Sequence, residues 1–187
     1  MSEQRFKLLS DEQLTPAQQR ALNALRSTPR QLSRGLGPFN ALLRTPELLN
    51  RVQRVGEYIR FQSSIPQWLN ELAILITARH WTAQYEWYAH RELAMQAGLA
   101  LDIIAALAED KRPERMSDDE TVIYEFCTEL LKTGQVSAAH FDAVRDRFGE
   151  QGVIDLVGAL GYYSLIALGL NVDRCPVPTG PPPLCNR

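Results

Sequence analysis

Apolar residues recur at three- and four-residue spacing along almost the whole chain, and no run alternates apolar and polar positions between turn signals. The pattern predicts an all-α protein. Thr15-Pro16 opens the first helix with a cap and a proline at its first position, and Ala17, Ala21, Leu22, Ala24 and Leu25 carry it to about Ser27. After a loop at Ser33 to Gly37, Pro38 opens a short segment from Phe39 to Arg44. Thr45-Pro46-Glu47 repeats the cap-and-proline signal for a helix through Leu48, Leu49, Val52, Val55 and Ile59. Pro66 starts a helix that carries Glu71 and runs to about Arg79; the next runs from Thr82 to Ala97 and ends at Gly98, a left-handed cap. So short a connection makes these two antiparallel neighbours. A short helix is expected from Leu99 to Glu109, then a solvated turn at Asp110 to Pro113. Ser117-Asp-Asp-Glu120 is a capping box heading a helix through Val122, Ile123, Phe126, Leu130 and Leu131. Ser137 caps another to Phe148, and after Gly149 to Gly152 a helix apolar on nearly every side runs from Val153 to about Leu170. Its pattern fits either a central core helix or a face packed on another subunit. The residues after Asn171 are read as an extended tail.

Composition narrows the function classes. With 187 residues, 45% of them hydrophobic, the chain can bury one substantial core. A formal charge of −2, with arginines scattered among acids, gives no basic surface, so nucleic acid is not an expected partner. The N-terminus lacks an apolar signal region and the apolar stretches are interrupted before the length of a membrane span, so a soluble cytoplasmic protein with no membrane partner is expected. Cys127 lies in a helical pattern and reads as a small buried residue; Cys175 and Cys185 flank a Pro-rich segment where a bridge is possible but not required. An odd third thiol and no Cys-x-x-Cys suit a reducing compartment.

The candidate chemistry sits between Glu71 and His90. Glu71 is an acid inside an apolar run, Leu69 to Ile76, and there needs a partner or a raised pKa. Glu86 and His90 are four residues apart, so on a helix they share one face and can share a proton. On that face His90 is expected to be partly exposed, contributing little to stability. His80 at the helix junction reads as a turn or capping histidine, His140 as structural, and Trp81, Tyr85, Trp87 and Tyr88 as either a pocket lining or packing residues. Tyr162 and Tyr163 come from the last helix, and spacing alone does not place them. Glu71, Glu86 and His90 are an incomplete set for zinc, so no metal is expected.

The blocks Arg34-Gly-Leu-Gly-Pro-Phe-Asn-Ala-Leu-Leu, Thr45-Pro-Glu-Leu, Leu69-Asn-Glu-Leu-Ala-Ile-Leu, Tyr85-Glu-Trp-Tyr-Ala-His and Leu156-Val-Gly-Ala-Leu-Gly-Tyr-Tyr-Ser, in this order, resemble the carboxymuconolactone decarboxylase family, which shares its fold with alkylhydroperoxidase D. The resemblance covers about residues 34–172. It divides the chain into an N-terminal helical extension, 1–33, a helical domain, 34–172, and a Pro-rich tail, 173–187. It implies an all-helical, homo-oligomeric bundle with its active site at the helices bearing the glutamate and histidine. In the family's peroxidase branch two cysteines stand where this chain has Ala83 and Glu86, and without thiols there the redox reaction of that branch is not expected. The decarboxylase branch, which also lacks them, has the Glu-Trp-x-x-His found here.

The implied activity is cofactor-free decarboxylation of a carboxylated lactone or related oxoacid, a small-molecule carboxylated substrate. His90 serves as general acid, with Glu86 or Glu71 holding its tautomer and raising its pKa. Arg79 or Arg60 fixes a substrate carboxylate, and Tyr85, Trp87 and His80 join Arg79 as candidate substrate-binding residues. Two alternatives stand beside this one: a thiol-dependent peroxidase-like activity using Cys127, and a non-catalytic helical oligomer that binds a small ligand.

Overall fold

The computed structural model describes residues 3–29, 36–180 and 183–185; the expected loop at 33–37 and the boundary at 33/34 fall largely outside them. Among the described residues there are eight α-helices, one short 3-10 turn (Asp11–Gln13) and no strand. The helices are α1 Pro16–Arg26, α2 Pro38–Leu42, α3 Pro46–Phe61, α4 Gln67–His80, α5 Gln84–Ala97, α6 Leu101–Ala108, α7 Asp118–Thr133 and α8 Ala138–Asp173. Ser117 with Glu120 forms the predicted reciprocal capping box, and Thr15, predicted as a cap, forms one with Gln18. Thr45 does not cap α3: its side chain makes no such bond, and Pro46 starts that helix unaided. Gly98 ends α5 at φ 99°, in the left-handed region. Gly149, at φ 71° and ψ 177°, breaks α8 into a short arm and a long one, a conformation that a residue with a Cβ strongly resists.

The central helix is α4, not α8. Every residue from Leu69 to Arg79 is buried, because α5, α6, α7 and α8 surround it. Leu72, Leu75, Trp87, Ile103, Ile123, Phe126 and Leu156 form the heart of that core. A second cluster joins α3 to α8 through Val52, Ile59, Ile74, Tyr163 and Ile166. The N-terminal residues are packed, too: Leu22 and Leu25 of α1 meet Phe39, Leu43 and Leu49. Two buried carboxylates pin loops to α8. Asp155 accepts from Tyr58 Oη at 2.9 Å and from the Ser64 backbone N–H at 2.7 Å and hydroxyl at 2.8 Å. Asp173 accepts from the Phe6 N–H and from Gln4, holding the N-terminal segment to the end of α8.

By length and composition α8 passes for a membrane span, yet 56% of its apolar window is buried in the fold. Burial leaves one stripe exposed, Ile154, Val157, Leu165, Leu168 and Val172, beside exposed Val55, Tyr58 and Phe61 of α3. The tail is less free than its composition suggests. Helix α8 continues to Asp173, and Leu184 lies in the main core, its N–H donating to Gln84 Oε1 at 2.9 Å and its carbonyl accepting from Gln84 Nε2 at 2.8 Å.

Candidate active site

Glu71 and His90 meet because they lie at nearly equal distances from the Trp81–Ala83 turn. Thr82 takes a left-handed conformation there, φ 48°, reversing the chain so that α4 and α5 run antiparallel. The His90 ring lies between two carboxyl groups: Nδ1 is 2.7 Å from Glu71 Oε2, and Nε2 is 3.2 Å from Glu86 Oε1. Glu71 is fully buried and its other oxygen accepts from Gln67 Nε2 at 2.9 Å. Both acids proposed as partners therefore hold the imidazole, one at each nitrogen. His90 itself is only 6% exposed, which corrects the expectation of a partly exposed histidine; α8 and the body of α4 cover the face that the helical pattern of α5 leaves polar.

Burial alone depresses the His90 pKa, but attraction and hydrogen bonding from Glu71, reinforced by Glu86, more than reverse this and raise it from 6.5 to about 9. At neutral pH the residue is a buried imidazolium. The Tyr163 ring meets it edge-on, centroids 4.9 Å apart, and Tyr162 meets Tyr163 in the same way. Burial, with the negative charge of Glu71 and Glu86 nearby, holds the Tyr163 phenol well above its ordinary pKa, while Arg60 pulls the other way. The phenol oxygen is buried without a hydrogen-bond partner, and so is Arg60 Nε. An unpartnered phenol oxygen on a ring that touches the buried imidazole is a donor open to an oxyanion or carboxylate, and the charge of Arg60 bears on that phenol.

The remaining sequence candidates go elsewhere. The Arg79 guanidinium donates to the Cys185 carbonyl at 2.9 Å and faces Asp110, toward α6 and the tail. His80 stacks edge-on with Trp81 beside Arg79, on the same side of α4. Trp87 is fully buried core, and the Trp81 indole donates to Ser164. Tyr85 packs on the α3–α8 cluster and against Gly37, where an added Cβ would lie 2.7 Å from its hydroxyl. His140 pairs with Glu129, joining α7 to α8. Ala83, in one of the two positions the resemblance assigns to cysteine, is fully buried at the start of α5.

All three cysteines are free thiols. Cys127 is wholly buried and burial raises its pKa steeply; burial and nearby Asp173 and Glu86 push Cys175 up to about 12. Among the described residues no group of three or more His, Cys, Asp or Glu side chains is arranged to hold a metal ion. In the sequence Arg60 is only an alternative to Arg79, Tyr163 has no assigned place, and Gln67 is not among the candidates. The Gln67–Glu71 spacing was a readable signal; the approach of Arg60 and Tyr163 was not. In comparison with known proteins, the chain matches no family model and no curated relative.

Proposed function

We propose that this protein is a carboxymuconolactone decarboxylase-like enzyme with an alkylhydroperoxidase D-like bundle, acting on a carboxylated lactone or related oxoacid by acid–base catalysis without a cofactor. The observation that carries this reading is the buried His90 imidazolium between Glu71 and Glu86, with Tyr163, whose hydroxyl has no partner, packed edge-on against it. Loss of CO₂ leaves the bonding electron pair on carbon, delocalised onto the lactone carbonyl oxygen. Tyr163 Oη and Arg60 Nε are donors suited to that oxygen or to the departing carboxylate. His90 then delivers its Nε2 proton to carbon, since the contact to Glu86 is longer than the one by which Glu71 keeps the Nδ1 proton. Solvent restores the imidazolium, so one proton is consumed for each CO₂ released.

The same reading makes the protein a homo-oligomer. The apolar stripe on α8 and exposed Val55, Tyr58 and Phe61 of α3 leave nonpolar side chains uncovered on two helices that pack together, supporting a subunit contact there. The free thiols suit a reducing compartment such as the cytoplasm. The peroxidase alternative is weakened by the burial of Cys127. The test is CO₂ release from a panel of lactone acids by wild type, His90→Gln and Tyr163→Phe. His90→Gln is expected to be inactive. Tyr163→Phe removes an oxygen with no partner, so it should lower kcat by about tenfold or more with no loss of stability. Turnover by His90→Gln within a few-fold of wild type would overturn the assignment. Release of CO₂ from no member of the panel would favour a non-catalytic ligand-binding oligomer.

A further inference from the structure

At the opposite end of α4 from Glu71 lies a concavity floored by Ile76, Leu107 and Leu131 and edged by polar side chains. Arg79 and His80 reach it from α4, Asp110 and Lys111 from the turn after α6, and Thr128 and Lys132 from α7. Along α7, Tyr124, Thr128, Leu131 and Lys132 fall at i, i+4, i+7 and i+8, so one helical face supplies that wall. Eight residues separate Glu71 from Arg79, about 12 Å along the helix axis, and none of the lining residues belongs to the His90 cluster.

Arg79 is only 4% exposed, and a buried guanidinium carries five N–H donors that require acceptors. Its Nη1 donates to the Cys185 carbonyl and its Nη2 to the Cys185 thiol at 4.0 Å, while Nε is buried with no hydrogen-bond partner and meets Asp110 only as an ion pair at 3.9 Å. The charges around the cavity are unequal. Arg79, Lys111 and Lys132 are cationic and His80 is titratable; against them stand Asp110 and, paired to Lys111 at 2.6 Å, Glu109. The cavity is about 50 Å³, several times what one water requires, and is lined by Thr128 as well as by the cations.

We propose that this pocket is a binding site for a small oxyanion, the carboxylate or phosphate group of a compact molecule. Arg79 supplies the buried donor from its fork, and Lys132 and Lys111 supply charge at the mouth. The Cys185 carbonyl, accepting from Arg79 Nη1 at 2.9 Å, steadies the guanidinium from the C-terminal segment. This site is separate from the His90 cluster and does not depend on the decarboxylase reading.

The experiment is a titration of the isotope-labelled full chain with inorganic phosphate and with malonate at constant ionic strength, followed by amide NMR shifts, with chloride as the control. Saturable shifts centred on Arg79, Thr128 and Lys132 are expected, with one anion preferred, which distinguishes phosphate from carboxylate. Lys132→Glu, on the rim, should weaken binding by about tenfold or more, whereas His90→Gln should leave it unchanged. Arg79→Lys keeps the charge but not the fork and should bind more weakly than wild type. Absence of saturable shifts with either anion, equal shifts with chloride, or undiminished affinity in Lys132→Glu would overturn the proposal.

Discussion

Removing the titratable group at His90 should change how the stability of this protein depends on pH. The imidazole has a pKa of about 9 in the folded chain against 6.5 as a free side chain, and both partners, Glu71 and Glu86, are buried with it. A raised folded-state pKa means that the native state binds the proton more tightly than the unfolded state. The resulting stabilisation is fully present below pH 6.5, declines between 6.5 and 9, and is gone above about 9. Its magnitude is roughly 3 kcal/mol, at 1.36 kcal/mol for each tenfold change in proton affinity. For a domain of marginal stability that is a substantial share. The assay is urea unfolding followed by far-UV circular dichroism from pH 6 to pH 10, on wild type and His90→Gln at one protein concentration, because subunit association also depends on concentration. Subtracting the variant removes the contribution of tyrosines, cysteines and lysines that titrate over the same range. The difference should fall by about 3 kcal/mol as pH rises through the window. A difference flat across that range, or one that grows, would refute the reasoning and mean that His90 is neutral in the folded protein.

Asp155→Asn should destabilise the fold by about 2 kcal/mol near neutral pH, because charge-assisted bonds from Ser64 and Tyr58 are lost. Burial pushes the Asp155 carboxyl upward, but those bonds outweigh it and hold the pKa below its ordinary value; its stabilisation is therefore present above the ordinary carboxylate range and lost as pH falls through the folded value. Acid unfolding of wild type and variant should converge at low pH. Gly37→Ala should cost about 1–3 kcal/mol in thermal or chemical unfolding, since Gly37 sits at φ 50° and the new Cβ would press on Tyr85; an unchanged midpoint would show that the segment moves aside freely. Leu165→Glu should shift sedimentation toward monomer at micromolar concentration without altering helix content, while an unchanged sedimentation coefficient would dissociate the exposed α8 stripe from assembly. A peroxide-consumption assay with a recycling dithiol should show no activity above that of a variant with all three cysteines changed to serine, given the burial of Cys127 and the absence of thiols at Ala83 and Glu86.

Local physics made much of this protein readable from its residues. Capping side chains, prolines at helix starts and glycines with positive φ act within a few positions of chain, which is why Thr15, Ser117, Gly98 and the break near Gly149 could be placed without a fold. The Glu86–His90 pair is likewise one helical turn, and the need of Glu71 for a partner follows from the apolar run around it. What the sequence left open was every interaction between distant segments. Thr45 has the residue type of a cap, but a side chain's type does not determine its bond. The pattern of α8 fitted a central core helix or a face for another subunit; only the packing of four helices around α4 made α4 the centre and left α8 a bare stripe. Arg79 and Arg60 were interchangeable as candidates until the rotation of α4 sent one toward the tail and α3 brought the other's charge to bear on Tyr163. The protonation of His90 was also decided in three dimensions, because it reflects a balance between burial and two carboxylates, one of which lies nineteen residues away across a turn.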